Sequence, residues 1–168
     1  MSSQPEVLIG GLNFAEGPRW HDGRLWFADM YAREVVAVDE GGAAERIAFV
    51  EAQPSGLGWL PDGRLLVVSM TDRRLLRLDG DSLIEHADLS HLAGWHCNDM
   101  VVDSVGRAYV GNFGYDLHGG KAPALTQLAV VEPDGRARSA AGDLSFPNGM
   151  VITPMARRWS WPKRWRIA

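Results

Sequence analysis

Three oxygen-bearing side chains, Glu16, Asn98 and Asn148, recur at one position of a repeating pattern in this 168-residue sequence. Each stands just before a predicted strand that leads into a turn, and the second repeat carries Ser55 and Gly56 at that place. Carboxylate and amide oxygens are the ligands that calcium and other hard cations take. Any one of these residues is also an ordinary turn residue. Three at the same phase of a repeat predict a cation site that lines a central channel.

The repeat that positions these side chains is a turn followed by an apolar strand. The turn glycines Gly23, Gly63 and Gly106 are 40 and 43 residues apart. The apolar strands after them are predicted at residues 25–30, 65–70 and 108–112. Each unit contains four short strands, which is typical of the blades of a β-propeller. An immunoglobulin-like sandwich is the main alternative, but it does not repeat a whole four-stranded unit.

The predicted fold class is all-β, a partial β-propeller with about three blades and one strand of a fourth, at residues 149–153. Propellers close with about 4–8 blades, because closure removes exposed edges. Self-association through open edges is therefore expected. The larger aromatic residues Trp20, Trp26, Trp59 and Trp95 are expected to pack between blades.

The last residues differ from the rest of the chain. From Arg157 onward they contain five basic residues, no acid and three of the seven tryptophans. If the Pro154 codon ends in G, the frame that begins at this base opens with Asp-Gly, the turn that the repeat predicts there. Residues 1–154 are thus predicted to be the N-terminal half of a propeller, and residues 155–168 an out-of-frame tail. A natural basic tail that binds an anionic surface is the alternative.

The bulk properties argue against several classes of partner. A net charge of −4 disfavours nucleic acid and anionic membranes. No apolar run approaches the roughly 20 residues of a membrane span, and no secretory signal is visible at the N-terminus. The single cysteine, Cys97, cannot form an internal disulfide, which fits a cytoplasmic location.

Three segments, Phe14–Trp20, Cys97–Gly114 and Phe146–Met150, resemble the N-terminal motifs of the senescence-marker-protein (regucalcin)/gluconolactonase/luciferin-regenerating-enzyme-like family, in the family's order and spacing. The resemblance runs from about Glu6 to Pro154. It implies a six-bladed parent propeller with one divalent cation in the channel. Calcium is the first expectation, with zinc, magnesium and manganese as alternatives. The implied reaction is hydrolysis of sugar-type lactones or related esters, with a small-molecule lactone or sugar acid as partner.

Carried over by this resemblance, Glu16 and Asn148 would be metal ligands, and Asn98 would lie beside the metal and contact substrate. Asp99 and His96 are the other expected substrate contacts. In some members of the family an arginine stands where this chain has His96. The cation would polarise the lactone carbonyl, and a carboxylate from a later blade would deprotonate the attacking water. No catalytic base is therefore expected in this chain, which would be inactive alone; a non-catalytic binding propeller is the alternative function.

Resequencing the gene across the Pro154 codon, and roughly 450 bases beyond for about three more blades at this period, tests the predicted tail. We expect a displaced base whose correction restores Asp-Gly, further blades and a channel aspartate. An unchanged reading frame would contradict the prediction.

Overall fold

The computed structural model describes residues 5–153 and the backbone of residues 159–160. The described residues form strands and no helix, and they therefore include no helix that could span a membrane. The bounds are β1 Ala15–His21, β2 Arg24–Asp29, β3 Glu34–Val38, β4 Ala44–Phe49, β5 Pro54–Trp59, β6 Leu65–Ser69, β7 Arg74–Asp79, β8 Ser82–Asp88, β9 Cys97–Val102, β10 Ala108–Asn112, β11 Leu125–Val131, β12 Ala137–Ser145, β13 Val151–Ile152 and β14 Trp159–Ser160.

The first twelve strands form three four-stranded antiparallel sheets, each with its strands in chain order. Blade 1 is β1–β4, blade 2 is β5–β8 and blade 3 is β9–β12. Strand β5 contacts both β1 and β9, so the first strands of the three blades lie side by side. The predicted all-β partial propeller is confirmed, and the described strands do not close a ring. Strand β13 pairs with β14, which lies in the segment predicted to be out of frame.

The predicted turns between the first and second strands of each blade are present. In blade 2, Leu60 and Arg64 are joined by a 2.9 Å backbone hydrogen bond across a turn that ends at Gly63. The first turn is tighter: Asp22 and Gly23 both have positive φ, as a two-residue hairpin turn requires. Glycine adopts this backbone conformation without a steric penalty, which explains why each turn ends in glycine.

Two apolar cores lie between successive blades. Leu57, Leu65 and Val67 of blade 2 pack with Val35 of blade 1. A larger cluster joins blades 2 and 3, and its members are Leu60, Leu66, Val68, Leu75, Ala87, Leu89, Ala93, Cys97, Met100, Ala108, Val110, Ala129 and Val131. Each fully buried leucine contributes about 1.5–3 kcal/mol of hydrophobic free energy. The blades are therefore held together face to face by side chains that alternate along each strand.

The tryptophan prediction is correct for one pair and wrong for Trp20. The rings of Trp26 in blade 1 and Trp59 in blade 2 meet edge to face at 5.4 Å. Trp20 is 59% exposed. Its neighbour His21 stacks on Trp59 at 3.9 Å, and alternation along a strand turns Trp20 to the opposite face. Trp95 stacks on the adjacent His96.

The first strand of each blade, its innermost strand, carries a β-bulge near its start. In β1, Glu16 pairs with Ala28 and Arg19 pairs with Trp26, so β1 has one more residue between these pairs than β2 has. The same extra residue occurs in β5 after Pro54 and in β9 after Cys97. Ser55 and Asn98 follow the last pair before their bulges, whereas Glu16 itself forms the last pair in β1. Each of the three side chains nevertheless follows a residue that pairs with the end of the second strand, and these pairs are Ala15–Asp29, Pro54–Ser69 and Cys97–Asn112. Bulges change the direction of side chains and are common beside functional sites.

Two glycines allow the innermost strands to approach closely at these bulges. A Cβ added to Gly56 would lie 2.5 Å from the backbone nitrogen of Met100 and 2.9 Å from the carbonyl carbon of Asp99. A Cβ on Gly17 would lie 3.0 Å from the carbonyl oxygen of Ser55. The spacing of blades 1, 2 and 3 around the channel therefore depends on the absence of side chains at these positions.

Replacing Gly56 with alanine should lower the free energy of unfolding by about 1–3 kcal/mol, because the added methyl group overpacks a backbone contact. Urea unfolding followed by circular dichroism measures the change. Gly142→Ala is the matched control, since a Cβ at this strand glycine meets nothing within 4 Å. Equal stabilities of the two variants would contradict the close-packing account.

Candidate functional site

A cleft of about 290 Å³ opens where the bulge of β1 meets the bulge of β9 and the segment before β13. Its lining residues are Glu16, Gly17, Pro18, Arg19, Asp99, Asn148 and Gly149. Two of the three predicted metal ligands, Glu16 and Asn148, thus line one cavity although they lie near opposite ends of the described chain. Asp99, a predicted substrate contact, lines it as well.

Glu16 presents a carboxylate that has no partner among the described residues. It is half-buried, and within residues 5–153 it accepts no side-chain hydrogen bond and forms no ion pair. Asn148 is exposed, and its Oδ1 accepts a 2.9 Å hydrogen bond from the backbone N–H of Gly149. A carbonyl oxygen has a second lone pair, so Asn148 Oδ1 keeps one acceptor position. Both residues therefore offer oxygen atoms to a ligand in the cleft.

Asp99 is bound to an arginine that the sequence analysis did not single out. Arg19 Nη2 donates to Asp99 Oδ1 at 2.6 Å and to the carbonyl oxygen of Met100 at 2.7 Å. Its Nη1 donates to the carbonyl oxygen of Pro18 at 2.9 Å. The side chains of Arg19 and Asp99 are 25% and 15% exposed, so this charge-assisted pair is partly shielded from water. The repeat did not indicate this pair, because its 80-residue separation differs from the 83 residues between Gly23 and Gly106.

Asn98 occupies the equivalent position in blade 3 but lies behind the cleft surface. It is 7% exposed, and its Oδ1 accepts a 3.3 Å hydrogen bond from the hydroxyl of Ser55. Ser55 is the equivalent residue of blade 2, so the bond links two neighbouring bulges. Its predicted roles as metal ligand and substrate contact remain predictions, since the cleft lining does not include this residue.

His96 lies in an aromatic cluster outside the cleft lining. Its ring stacks on Trp95 at 5.0 Å and lies 5.8 Å from Phe113. Nδ1 of His96 is buried and has no hydrogen-bond partner among the described residues. Burial, followed by the charges of His118 and Arg73, lowers the pKa of His96 below its usual range. A neutral imidazole at this position can hydrogen-bond to a substrate but cannot form an ion pair with it.

Cys97, between His96 and Asn98, is not a candidate nucleophile. The residue is 1% exposed and packs in the core between blades 2 and 3. Burial raises the pKa of its thiol to about 12. The reactive thiolate is therefore almost absent at neutral pH.

The donor chemistry of the cleft fits a hard cation. Glu16 and Asn148 supply oxygen, and neither histidine nor cysteine, the usual zinc ligands, lines the cavity. Calcium takes about six to eight oxygen ligands. Across the described part of the chain, no group of three or more His, Cys, Asp or Glu could hold a metal. The cleft therefore offers two oxygen-bearing side chains, fewer donors than a calcium ion takes.

The sequence and the fold of the chain both match known proteins. Residues 14–159 match the family model described as the SMP-30/gluconolactonase/LRE-like region. A pentonolactonase of Haloferax volcanii is 26% identical over 149 residues, which are 88% of this chain and 48% of that protein. The chain therefore spans about half the length of this relative.

Solved structures agree on the fold. A gluconolactonase of Xanthomonas campestris superimposes with a TM-score of 0.72 at 22% identity, covering 89% of this chain and 54% of that chain. A calcium-binding protein, regucalcin, from Agrobacterium tumefaciens gives 0.71 at 24% identity, covering 89% and 50%. A luciferin-regenerating enzyme gives 0.76 at 17% identity, covering 93% and 54%.

The lowered pKa of His96 predicts how stability changes with pH. As pH falls through 6.5, the ordinary pKa of the imidazole, the unfolded chain binds a proton before the folded chain does. The free energy of unfolding should therefore decrease with falling pH until the folded-state pKa is passed. Urea midpoints above and below pH 6.5 should decrease less for His96→Gln than for the wild type. An equal change of the urea midpoint with pH in the two proteins would contradict a buried neutral imidazole. Because the change with pH is compared, any loss of packing that is independent of pH does not affect the result.

Proposed function

Because the chain belongs to the SMP-30/gluconolactonase/LRE-like family, we propose that the described residues form the cation- and substrate-binding side of a metal-dependent lactonase site. The observation that carries this proposal is that Glu16 and Asn148 line the same cleft. The names of two similar proteins, a pentonolactonase and a gluconolactonase, support a lactone as the substrate class.

Glu16 and Asn148 would hold one divalent cation. Asn98 would be a further ligand, since its Oδ1 keeps a second lone pair beside the hydrogen bond from Ser55. Calcium is the preferred candidate, because the available donors are oxygens. The similarity to a regucalcin described as calcium-binding supports this choice. When bound, such a cation supplies Lewis-acid polarisation of a carbonyl group.

The substrate would be positioned by Asp99, with Asn98 and His96 as further contacts from outside the cleft lining. One oxygen of Asp99 is bound to Arg19, and the other can accept a hydrogen bond from a substrate hydroxyl group. His96, with its lowered pKa, would contribute a neutral hydrogen bond. These contacts suit a polyhydroxylated ring, and they fit the sugar-type lactones that the relatives' names indicate.

Among the described residues that line the cleft, no acid is free to act as a general base. Its two carboxylates are Glu16, the proposed cation ligand, and Asp99, which is paired with Arg19 at 2.6 Å. A general base must be able to accept the proton of the attacking water. We therefore expect this chain to bind a cation and a lactone without accelerating ring opening.

Glu16→Gln should weaken calcium binding at least about tenfold, because calcium affinity follows the number of charged ligands. Isothermal titration calorimetry of the full 168-residue chain measures this. Glu45→Gln is the matched control, since Glu45 is 62% exposed and pairs with Arg24 away from the cleft. Equal affinities of Glu16→Gln and the wild type would reject the proposed cation site.

A pH-stat assay with an aldonolactone tests the rest of the proposal. Hydrolysis should match the buffer rate with calcium and with a chelator. Acceleration that a chelator abolishes would show that a base is present in this chain. Acceleration that survives the chelator would contradict metal dependence.

A further inference from the structure

The Arg19–Asp99 ion pair joins blade 1 to blade 3 across the innermost strand of blade 2. Arg19 lies on β1 and Asp99 on β9, and β5 runs between these strands. The close contact at Gly56 brings β9 within reach, because a Cβ there would meet the backbone of Asp99 and Met100. The pair is therefore built into the wall of the cleft by the packing of three blades.

The ion pair sets the charge that a cation would meet. The ionisable residues that line the cleft are Glu16, Arg19 and Asp99. With these side chains ionised, their charges of −1, +1 and −1 sum to −1. Without Arg19 the sum would be −2, and both oxygens of Asp99 would be available as ligands.

The two oxygens of Asp99 have different partners. Oδ1 accepts the 2.6 Å hydrogen bond from Arg19. Oδ2 accepts no hydrogen bond from any residue that the structure describes. The guanidinium of Arg19 thus binds one oxygen of the Asp99 carboxylate and also the carbonyl oxygen of Met100. The second carboxylate oxygen of Asp99 is left as an acceptor for a ligand.

We propose that Arg19 is a specificity-determining residue that withholds Asp99 from the cation and holds its free oxygen for a substrate hydroxyl group. This inference rests on the proposed function, because it assigns a role at the same cleft. It predicts that Arg19 reduces the affinity for calcium while it increases the preference for hydroxylated lactones. A purely structural tie between blades would instead support both kinds of binding.

Calcium titration of charge variants tests whether Arg19 reduces the affinity for calcium. Arg19→Met should bind calcium about tenfold more tightly than the wild type, because a carboxylate is freed and a positive charge is removed. Asp99→Asn should bind more weakly, since the charges of Glu16 and Arg19 then sum to zero. The double variant, with a sum of −1, should return to the wild-type affinity.

Arg24→Met is the matched control. Arg24 is 27% exposed, forms one ion pair with Glu45 and donates to the carbonyl oxygen of Ala37, but does not line the cleft. Its loss should leave calcium affinity unchanged. Arg19→Gln, which removes the charge but keeps a hydrogen-bond donor for Met100, replaces Arg19→Met where circular dichroism shows that the methionine variant is unfolded.

Binding of two lactams tests whether Arg19 increases the preference for hydroxylated ligands. Lactams replace lactones in this experiment because a cyclic amide resists ring opening. The wild type should bind a hydroxylated lactam more tightly than its deoxy analogue, and Arg19→Met should reduce this ratio about tenfold. An unchanged ratio, or calcium binding by Arg19→Met no tighter than that of the wild type, would overturn the inference. If Glu16→Gln also fails to weaken calcium binding, the proposed function fails as well; if it does weaken binding, only the role of Arg19 is rejected.

Discussion

The close approach of the three innermost strands is the constraint on which the rest of the structure depends. Gly56 leaves room for the backbone of β9, and Gly17 leaves room for β5. Side chains larger than hydrogen at these positions would separate the blades. The apolar cores between blades and the bulges that face the channel are compatible only with this spacing. Packing at the channel is therefore linked directly to the geometry of the cleft.

The same spacing explains why the cleft contains both signs of charge. A propeller arranges equivalent positions of successive strands around one axis, so acids and amides from different blades are brought together. Carboxylates that line the same cleft repel each other, and the burial of a carboxylate is costly unless it has a partner. Arg19 compensates Asp99, and Glu16 is left uncompensated. Among the described residues, the cleft thus contains one carboxylate without a partner, that of Glu16, and one carboxylate oxygen of Asp99 that accepts no hydrogen bond.

The sequence was sufficient to predict features that depend on local periodicity. The predicted strand at residues 108–112 coincides with β10, and the predicted strands at residues 25–30 and 65–70 differ from β2 and β6 by at most one residue at each end. The common phase of Glu16 and Asn98 was also predictable, since it follows from the repeat. The Arg19–Asp99 pair and the exposure of Trp20 depend on how whole blades pack. Residue spacing does not define that packing, because it shows neither where the bulges lie nor which face of each sheet is packed against the next blade.

The central claim is that blades 1 to 3 bring Glu16 and Asn148 together as ligands of one hard cation. Anomalous diffraction from crystals of the full chain soaked with terbium, an oxygen-seeking substitute for calcium, tests it most directly. The account predicts one strong peak in the cleft, bonded to a carboxylate oxygen of Glu16 and to Oδ1 of Asn148. A cleft without a peak in crystals that bind terbium elsewhere, or a peak bonded to neither residue, would contradict it.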